Sequence, residues 1–565
     1  MTPRNPFAHP DALTLAHVLA RLEADTNLPL QRRRDLCSAV RTVGRWFNLG
    51  LTEIPANYEF LRRGFKNFHP RFANVRQRRL ENVRSFLTAA LQHVGIPTNR
   101  QTYLAPLAPK WQALFDRLPT SYDRTSLSRF MRYCSAAGIG PEDVTDEVST
   151  DFRDALVKES LTERPLTAHQ SACRIWSRMC GAVDGWPETT LAVPRYRQTF
   201  TLPWDTFPES FRHDVEAFSA ALRSDDLFAE NAPVRPLREG SIKTRVNQIR
   251  FFSSALIHAG HDPSAITSLA YLVDRANFEA GLRHLLDRNG GKTSKSISDL
   301  AWCLRTVAVH HAGVTGDDLE RIKTLTRRLQ PPSRGLTEKN RGRLRQFDDP
   351  ENLRRLLLLP ATLFAQAQKV DVPRRREALL VQHALAIELL TVAPMRIDNL
   401  ACLHMENHLS WSRSNWGGVV HITIPEGMVK NDQDLEFELP EETASLLRLY
   451  ISDYRDLLFE QPGPWLFPSR DPSRPKRSDT LSRQISARIW DKTGIKFNPH
   501  LFRHLAASLI LKRHPDGYGT ASRVLGHRNA NSVYKSYSGL EAKAAHRMYV
   551  EEIIGRRCSP REEDR

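Results

Sequence analysis

The sequence of 565 residues lacks the features of several common protein classes. It has no run of about 18 apolar residues, so we predict no membrane-spanning helix. The amino terminus has no basic stretch followed by an apolar run, so no secretory signal is expected. Its seven cysteines form no C-x-x-C pair and mostly lie within apolar helical patterns. We therefore expect a cytosolic protein whose cysteines are reduced and buried.

Motifs for nucleotide and metal chemistry are also missing. There is no G-x-x-x-x-G-K-[ST] loop, which makes nucleotide hydrolysis an unlikely function on these grounds. The segment "HLFRH" (500–504) lacks the glutamate of a zinc protease motif. No compact acidic cluster suits two-metal phosphoryl transfer. We predict no cofactor and no metal, and the groups left for chemistry are cations, histidines and tyrosines.

Positive charge is abundant. The sequence has 81 Lys and Arg against 64 Asp and Glu, a formal charge of +17, and the excess extends along the whole chain. Such a balance favours a polyanionic partner, of which nucleic acid is the commonest. A merely basic soluble protein stays possible on charge alone.

Helical periodicity dominates before residue 345. In 245–260, for example, one helical face collects apolar residues, namely Val246, Ile249, Phe252, Leu256 and Ile257. A weak repeat, in which an aromatic helix ends at a Gly-Pro stop, recurs three times, at "GLTEIP", "GIGP" and "GHDP". We predict tandem small helical bundles at 1–110, 111–204 and 205–345. Alternatively, aromatic amphipathic helices that end in glycine simply look alike.

The pattern breaks at "PPSRGLTEKNRGRLRQF" (331–347), where prolines, glycines and basic residues predict an extended linker. Beyond it we predict one mixed α/β domain over 346–565, mainly helical with a small antiparallel sheet. "GVVHITIP" (418–425) and "LEFELP" (435–440) alternate as strands of a hairpin, whose turn "EGMVKNDQD" carries Lys430.

This domain contains the groups needed to attack a phosphodiester without metal: a nucleophile, cations for the nonbridging oxygens, a base and an acid. His500 and Arg503 are three apart and share one helical face. Each motif alone is weak, since an His-x-x-Arg pair is common on helix surfaces and Arg396 could pair with Asp398. The side chains that could supply these groups are Arg396, His500, Arg503 and His527, with Tyr534 and Tyr537 as the two tyrosines that could attack.

The order of the motifs resembles the tyrosine recombinase (phage integrase) family over roughly residues 350–555. "APMRIDNL" is similar to the family's first arginine box, "EGMVKNDQD" to its hairpin lysine, "HLFRHLAAS" to its His-x-x-Arg box and "LGHRNANSVYKSY" to its closing segment. Residues 205–340 are similar to its SAM-like core-binding domain. Residues 1–200 match loosely, as further bundles of that kind.

The resemblance implies a role for each candidate. Arg396 and Arg503 would clamp the scissile phosphate, while Lys430 would protonate the departing 5′ oxygen. His500 would act as the base on the tyrosine, and His527 would donate to a nonbridging oxygen. The nucleophile of the family follows the Gly-His histidine by nine or ten residues, so Tyr537, ten residues on, is the expected nucleophile.

Five residues outside this set qualify these roles. Tyr534, only seven residues after the histidine, is expected to pack in the core. Asn399 stands where the family usually has an acidic residue that steadies the first arginine. Lys430 is distinguished from Lys492 and Lys496 only by its hairpin. His504 is expected to be structural or to support the site, without a direct role.

As a recombinase, the protein would act through a covalent 3′-phosphotyrosine intermediate in the integration, excision or transposition of a mobile element. The implied partners are double-stranded DNA, a homo-tetramer on synapsed DNA and accessory DNA-bending or directionality proteins, with no membrane. The implied location is the bacterial cytoplasm, at the nucleoid. The helix "EAKAAHRMYVEEIIG" would dock onto a neighbouring protomer or pack on its own domain. The alternatives are a noncatalytic DNA-binding accessory protein and a type IB topoisomerase.

Overall fold

The computed structural model describes residues 13–98, 106–196, 199–226, 236–332, 335–411, 419–429, 433–514, 516–527, 529–537 and 542–558. These residues are mainly helical and contain one three-stranded antiparallel sheet. The predicted fold class is confirmed. None of the helices in these ranges has the length and hydropathy needed to cross a membrane.

Buried apolar side chains form four separate clusters. The chain divides into two compact units, one of residues 194–333 and one of the residues on either side. The first unit contains a single cluster, and the second contains the other three. The predicted domain limits remain predictions.

In the described residues of the unit at 194–333, six α-helices surround the core. In its longest helix, Ile249, Phe252 and Leu256 are buried, as the periodicity predicts. The carboxylate of Asp214 accepts hydrogen bonds from Leu269 N and His311 Nε2, both at 2.6 Å. The helices are Glu209–Arg223, Glu239–His258, Leu269–Val273, Arg275–Arg288, Lys295–His310 and Gly316–Arg328.

Two helical clusters precede this unit in the sequence. The first, which we call the first bundle, contains helices Leu15–Ala24, Leu30–Phe47, Tyr58–Asn67 and Gln77–His93. The second contains helices Pro109–Asp116, Ser121–Ala136, Asp146–Lys158 and Pro165–Met179.

Arg62 joins the two clusters. Its guanidinium donates to the carbonyl oxygens of Leu156, Val157 and Ser160, at 3.0, 2.8 and 3.1 Å. These carbonyls lie at or just beyond the end of helix Asp146–Lys158. Carbonyls at a helix carboxyl end lack partners within the helix and carry partial negative charge, so a cation satisfies them well.

The fourth cluster contains the sheet and the carboxy-terminal helices. Strands Leu409–Trp411, Val420–Ile424 and Leu435–Leu439 pair in that order, with Ile424 opposite Leu435. The predicted hairpin is confirmed, whereas the first strand is too short to show a period in the sequence. The helices are Glu338–Arg345, Pro350–Leu357, Leu359–Ala367, Arg375–Val392, Ile397–Ala401, Met405–His408, Glu441–Leu449, Ser478–Thr493, Pro499–Arg513, Tyr518–Val524, Ala530–Tyr537 and Ala542–Cys558.

The prediction of an extended linker is wrong in its second half. Residues Glu338–Arg345 are helical, and the hydroxyl of Thr337 caps the helix by accepting from Asn340 N at 3.3 Å. Leu336, Leu344 and Phe347 are buried in the fourth cluster. The many arginines hide this apolar spacing in the sequence.

The expectation that most cysteines are buried concerns the described part of the chain. Six described cysteines are free thiols, and four of them are buried.

Replacing Arg62 by methionine should lower the free energy of unfolding of the amino-terminal region by about 2 kcal/mol, because buried carbonyls lose a charged donor. Urea unfolding followed by tryptophan fluorescence measures the change. The control is Arg63→Met, which removes an exposed arginine whose ion pair with Glu59 spans 3.4 Å and should cost less than about 0.5 kcal/mol. Equal losses in both variants would show that the three carbonyl contacts contribute little.

Candidate active site

Arg396 lies where a buried helix meets a turn. Helix Arg375–Val392 ends before Pro394, and Arg396 immediately precedes helix Ile397–Ala401. Burial lowers the pKa of Arg396, while the nearby Tyr537 raises it. The guanidinium is therefore held partly out of water and close to the tyrosine.

Helix Pro499–Arg513 supplies the His-x-x-Arg pair. It begins as the sequence favours, since Asn498 Oδ1 accepts from Leu501 N at 3.2 Å and Pro499 occupies the first turn. His500 reaches solvent on this turn, whereas Arg503 is buried. The pKa of His500 is lowered, first by partial burial and then by the two arginines Arg503 and Arg396.

Arg503 connects two turns of the site. Its Nη1 donates to Pro394 O at 2.7 Å, and its Nη2 donates to Leu525 O at 2.6 Å. Burial and the like charge of Arg396 lower the pKa of Arg503 to about 10, while Tyr537 opposes this shift. Two neighbouring guanidinium groups that repel each other form a site that an anion would complete.

The Gly-His turn places His527 beside Arg503. Gly526 has φ +60°, and a Cβ atom there would overlap the side chain of Leu435, so the position requires glycine. His527 Nε2 lies 3.4 Å from Arg503 Nη2. Burial, followed by the charges of Arg503 and Arg396, lowers the pKa of His527 to about 4. The imidazole is therefore neutral at pH 7.

Tyr537, the last residue of helix Ala530–Tyr537, is buried at the centre of the site. Its hydroxyl is 2.8 Å from Nδ1 of His504. Burial raises the pKa of Tyr537, although Arg503 and Arg396 act to lower it.

The expectation that Tyr534 packs in the core is wrong. Its side chain is 57 % exposed and packs against Tyr518, with ring centroids 5.3 Å apart. The helix instead buries Val533 and Tyr537, which are four residues apart and share one face. Of the two tyrosines, only Tyr537 points towards the arginines.

His504 contacts the Tyr537 hydroxyl directly, which the sequence does not suggest. It is buried, and the pKa of His504 is lowered to about 4 by burial and by the charges of His500 and Arg503. A neutral imidazole can accept the tyrosine proton at Nδ1. His500 packs edge-on against it, with ring centroids 4.6 Å apart. The available hint was the spacing in "HLFRH", which places two histidines four residues apart on one helical face.

Lys430 lies outside the described residues, so its role remains a prediction. Both competing lysines have other contacts: Lys492 lies 4.0 Å from the carboxylate of Asp491, and Lys496 lies over the Trp490 ring at 5.4 Å. Asn399 is buried, and its Nδ2 makes no hydrogen bond within the described part of the chain.

A cleft of about 640 Å³ opens beside His527, and its lining includes Arg523, Asn529 and Asp434. Among the described residues, no group of three or more His, Cys, Asp or Glu side chains could hold a metal ion.

Comparisons with known proteins find a matching family model and several similar solved structures. Residues 364–543 match the model of the phage integrase family. Similar solved structures include the XerH site-specific recombinase bound to difH substrate in a pre-cleavage complex, at 15% identity and TM-score 0.34, covering 76% of this chain and 97% of that chain. XerA recombinase shows 16% identity and a TM-score of 0.24, and the match covers 60% of this chain and 98% of that chain. The integrase from mycobacterium phage Brujita shows 14% identity and a TM-score of 0.20, and the match covers 59% of this chain and 93% of that chain. No curated protein matches the sequence.

We expect the stability of the protein to fall as the pH is lowered from about 6.5 towards 4. His504 and His527 stay neutral in the folded chain and bind protons when it unfolds, so the unfolded state takes up more protons in this range. Urea unfolding at several pH values measures the slope. His504→Gln should make it shallower, whereas the exposed control His310→Gln should leave it unchanged. Identical slopes in all three proteins would contradict a neutral buried His504.

Proposed function

We propose that this protein is a site-specific DNA recombinase that acts through a covalent 3′-phosphotyrosine intermediate, since residues 364–543 match the model of the phage integrase family. One observation carries the proposal: the buried hydroxyl of Tyr537 is hydrogen-bonded to neutral His504 and lies in the field of Arg396 and Arg503. A tyrosine hydroxyl, a neutral imidazole and two guanidinium groups thus lie close together, which supports the proposal.

The two arginines would bind the nonbridging oxygens of the scissile phosphate. A guanidinium offers several donors in a plane that suits phosphate oxygens. Arg503 is already oriented by its two backbone carbonyl partners, so little reorganisation is needed when DNA binds. His527, beside Arg503, would donate to the same phosphate.

Binding of the phosphate would also activate the tyrosine. Without an anion, the charge of Arg503 contributes to the low pKa of His504. A bound phosphate offsets that charge, which raises the basicity of His504. In the proposed step, the Tyr537 proton moves to His504 Nδ1 as the phenolic oxygen bonds to phosphorus. The bond from phosphorus to the 5′ oxygen then breaks.

His500 and Lys430 would complete the proton transfers. His500 touches solvent and packs on His504, so we assign it the passage of the proton out of the site, and the direct basic role predicted for it from the sequence becomes the alternative. Lys430 would give a proton to the leaving 5′ oxygen. The phosphotyrosine keeps the bond energy, so another 5′ hydroxyl can reverse the step without metal or ATP.

Exchange between two DNA sites implies an assembly, which we propose to be a homo-tetramer on synapsed double-stranded DNA of a mobile element. Helix Ala542–Cys558 exposes Met548, Tyr549 and Ile554. These apolar side chains support its docking onto a neighbouring protomer. Accessory DNA-bending or directionality proteins, and a location at the bacterial nucleoid, belong to the same proposal.

Tyr537→Phe should abolish the covalent adduct with duplex DNA from the ends of the element, nicked near the crossover to trap the intermediate. Tyr534→Phe is the matched control and should form the adduct normally, because its ring lies on the solvent side. Denaturing gels measure the adduct. Loss of the adduct only in Tyr534→Phe would overturn the assignment.

The adduct assay, together with measurements of DNA binding and of DNA relaxation, separates the alternatives. Binding without an adduct from wild-type protein would indicate a noncatalytic accessory protein. Relaxation of supercoiled DNA by monomers, without strand exchange, would indicate a type IB topoisomerase.

His504→Gln should slow adduct formation by about 100-fold or more at neutral pH, the usual contribution of a positioned base. The rate deficit should shrink as pH rises, because hydroxide then removes the tyrosine proton. His500→Gln should have a smaller effect, since His500 is one ring further from the hydroxyl. A larger loss in His500→Gln than in His504→Gln would return the role of direct base to His500.

A further inference from the structure

The first bundle carries a dense run of positive charge. Residues 60–80 contain seven Lys and Arg and no Asp or Glu. Arg62 is used in the contact with the neighbouring helix, but the other six are exposed. They are Arg63, Lys66, Arg71, Arg76, Arg78 and Arg79.

These charges do not serve the stability of the bundle. The side chains of Arg76, Arg78 and Arg79 make no hydrogen bond or ion pair within the described part of the chain, although they lie close together. Arg63 has only its long, exposed pair with Glu59. Like charges at this density repel one another, so the fold bears a cost that a bound polyanion would relieve.

Aromatic rings lie among the charges. Phe72 is 63 % exposed, and Trp46 stacks on Phe68 with ring centroids 4.7 Å apart. Two hollows of about 370 and 430 Å³ share Trp46, Phe68 and Phe72, with Arg63 on the rim of one and Arg79 on the rim of the other. We call the six exposed cations together with Phe72 the first-bundle surface.

The first-bundle surface is fixed to the fourth cluster. His69 and Phe72 pack edge-on against Trp490, with ring centroids 5.1 and 6.1 Å away, and His69 Nε2 lies 3.3 Å from Asp491 O. Gly494 has φ +74°, and a Cβ atom there would lie 2.8 Å from His69 Nδ1. The contact therefore depends on glycine at this position.

The contact at Trp490 lies close to the candidate active site. Lys496 lies over Trp490, so it adds a cation to the edge of the first-bundle surface. Lys496 precedes His500 by four residues, which limits the separation of their backbones to roughly 14 Å. The positive surface thus ends near the mouth of the site that holds Arg396 and Arg503.

We propose that the first-bundle surface binds the phosphate backbone of the duplex DNA that flanks the cleavage site. The inference rests on the proposed function, because it takes DNA bound at Arg503 as the starting point. Duplex DNA presents a charge about every 1.7 Å along its axis, which suits closely spaced arginines. Such contacts position the duplex and carry no direct sequence information.

The test compares Arg76→Gln/Arg79→Gln with a matched control, Arg21→Gln/Arg41→Gln. The control arginines are also exposed residues of the first bundle, but they bond to Val94 O and to Glu23. Binding of full-length protein to a duplex with long flanks is measured over a salt series. The test variant should lower the slope of log affinity against log salt by about 2, one unit for each phosphate contact. The control slope should match wild type.

The second measurement uses a duplex trimmed to the cleavage site. The test variant should bind this short duplex as tightly as wild type does, because the flanking phosphates are absent. An equal loss in the control, or on the trimmed duplex, would overturn the proposal. Loss of affinity only for single-stranded DNA would show that the surface binds unpaired bases. Circular dichroism establishes that each variant is folded.

Adduct formation distinguishes the two proposals. At low salt and saturating protein, the test variant should still form the Tyr537 adduct. A slope difference without any wild-type adduct would reject the recombinase and retain the surface. A normal wild-type adduct without a slope difference would retain the recombinase and reject DNA binding by the first-bundle surface.

Discussion

The candidate site depends on a cation that is buried beside another cation. Arg503 has little access to water, and its neighbour Arg396 repels it. Burying a charge is costly unless strong hydrogen bonds compensate. Two backbone carbonyls, from Pro394 and Leu525, provide that compensation. The turn before Arg396 and the turn before His527 are therefore both shaped around one guanidinium, and the helix of the His-x-x-Arg pair holds it.

The same electrostatics determine which groups carry protons. Excess positive charge and burial keep His504 and His527 neutral, while burial disfavours ionisation of Tyr537. The site thus holds a protonated tyrosine next to a neutral acceptor. Under the proposed function, a phosphate bound by the arginines would shift this balance towards transfer of the tyrosine proton.

The sequence was informative wherever local spacing determines structure. Period-two alternation predicted the hairpin, and the Asn-Pro start with an His-x-x-Arg pair predicted the helix that holds Arg503. Contacts between distant segments could not be read in this way. The bond between His504 and Tyr537 joins residues 33 apart, and the capped helix after Thr337 was hidden by its arginines. The exposure of Tyr534 depends on which face of a short helix is buried. The spacing of Tyr534 and Tyr537, three residues apart, does not reveal that face.

Gly526 links two parts of the site that are far apart in the sequence. The side chain of Leu435, the first residue of the last strand, lies where a Cβ atom at 526 would be. The hairpin and the Gly-His turn therefore share one close contact, and displacement of either would be transmitted to the other. In an evolving lineage, positions 435 and 526 should then be inherited together. The space left by one missing methyl group sets the register between strand Leu435–Leu439 and the imidazole of His527.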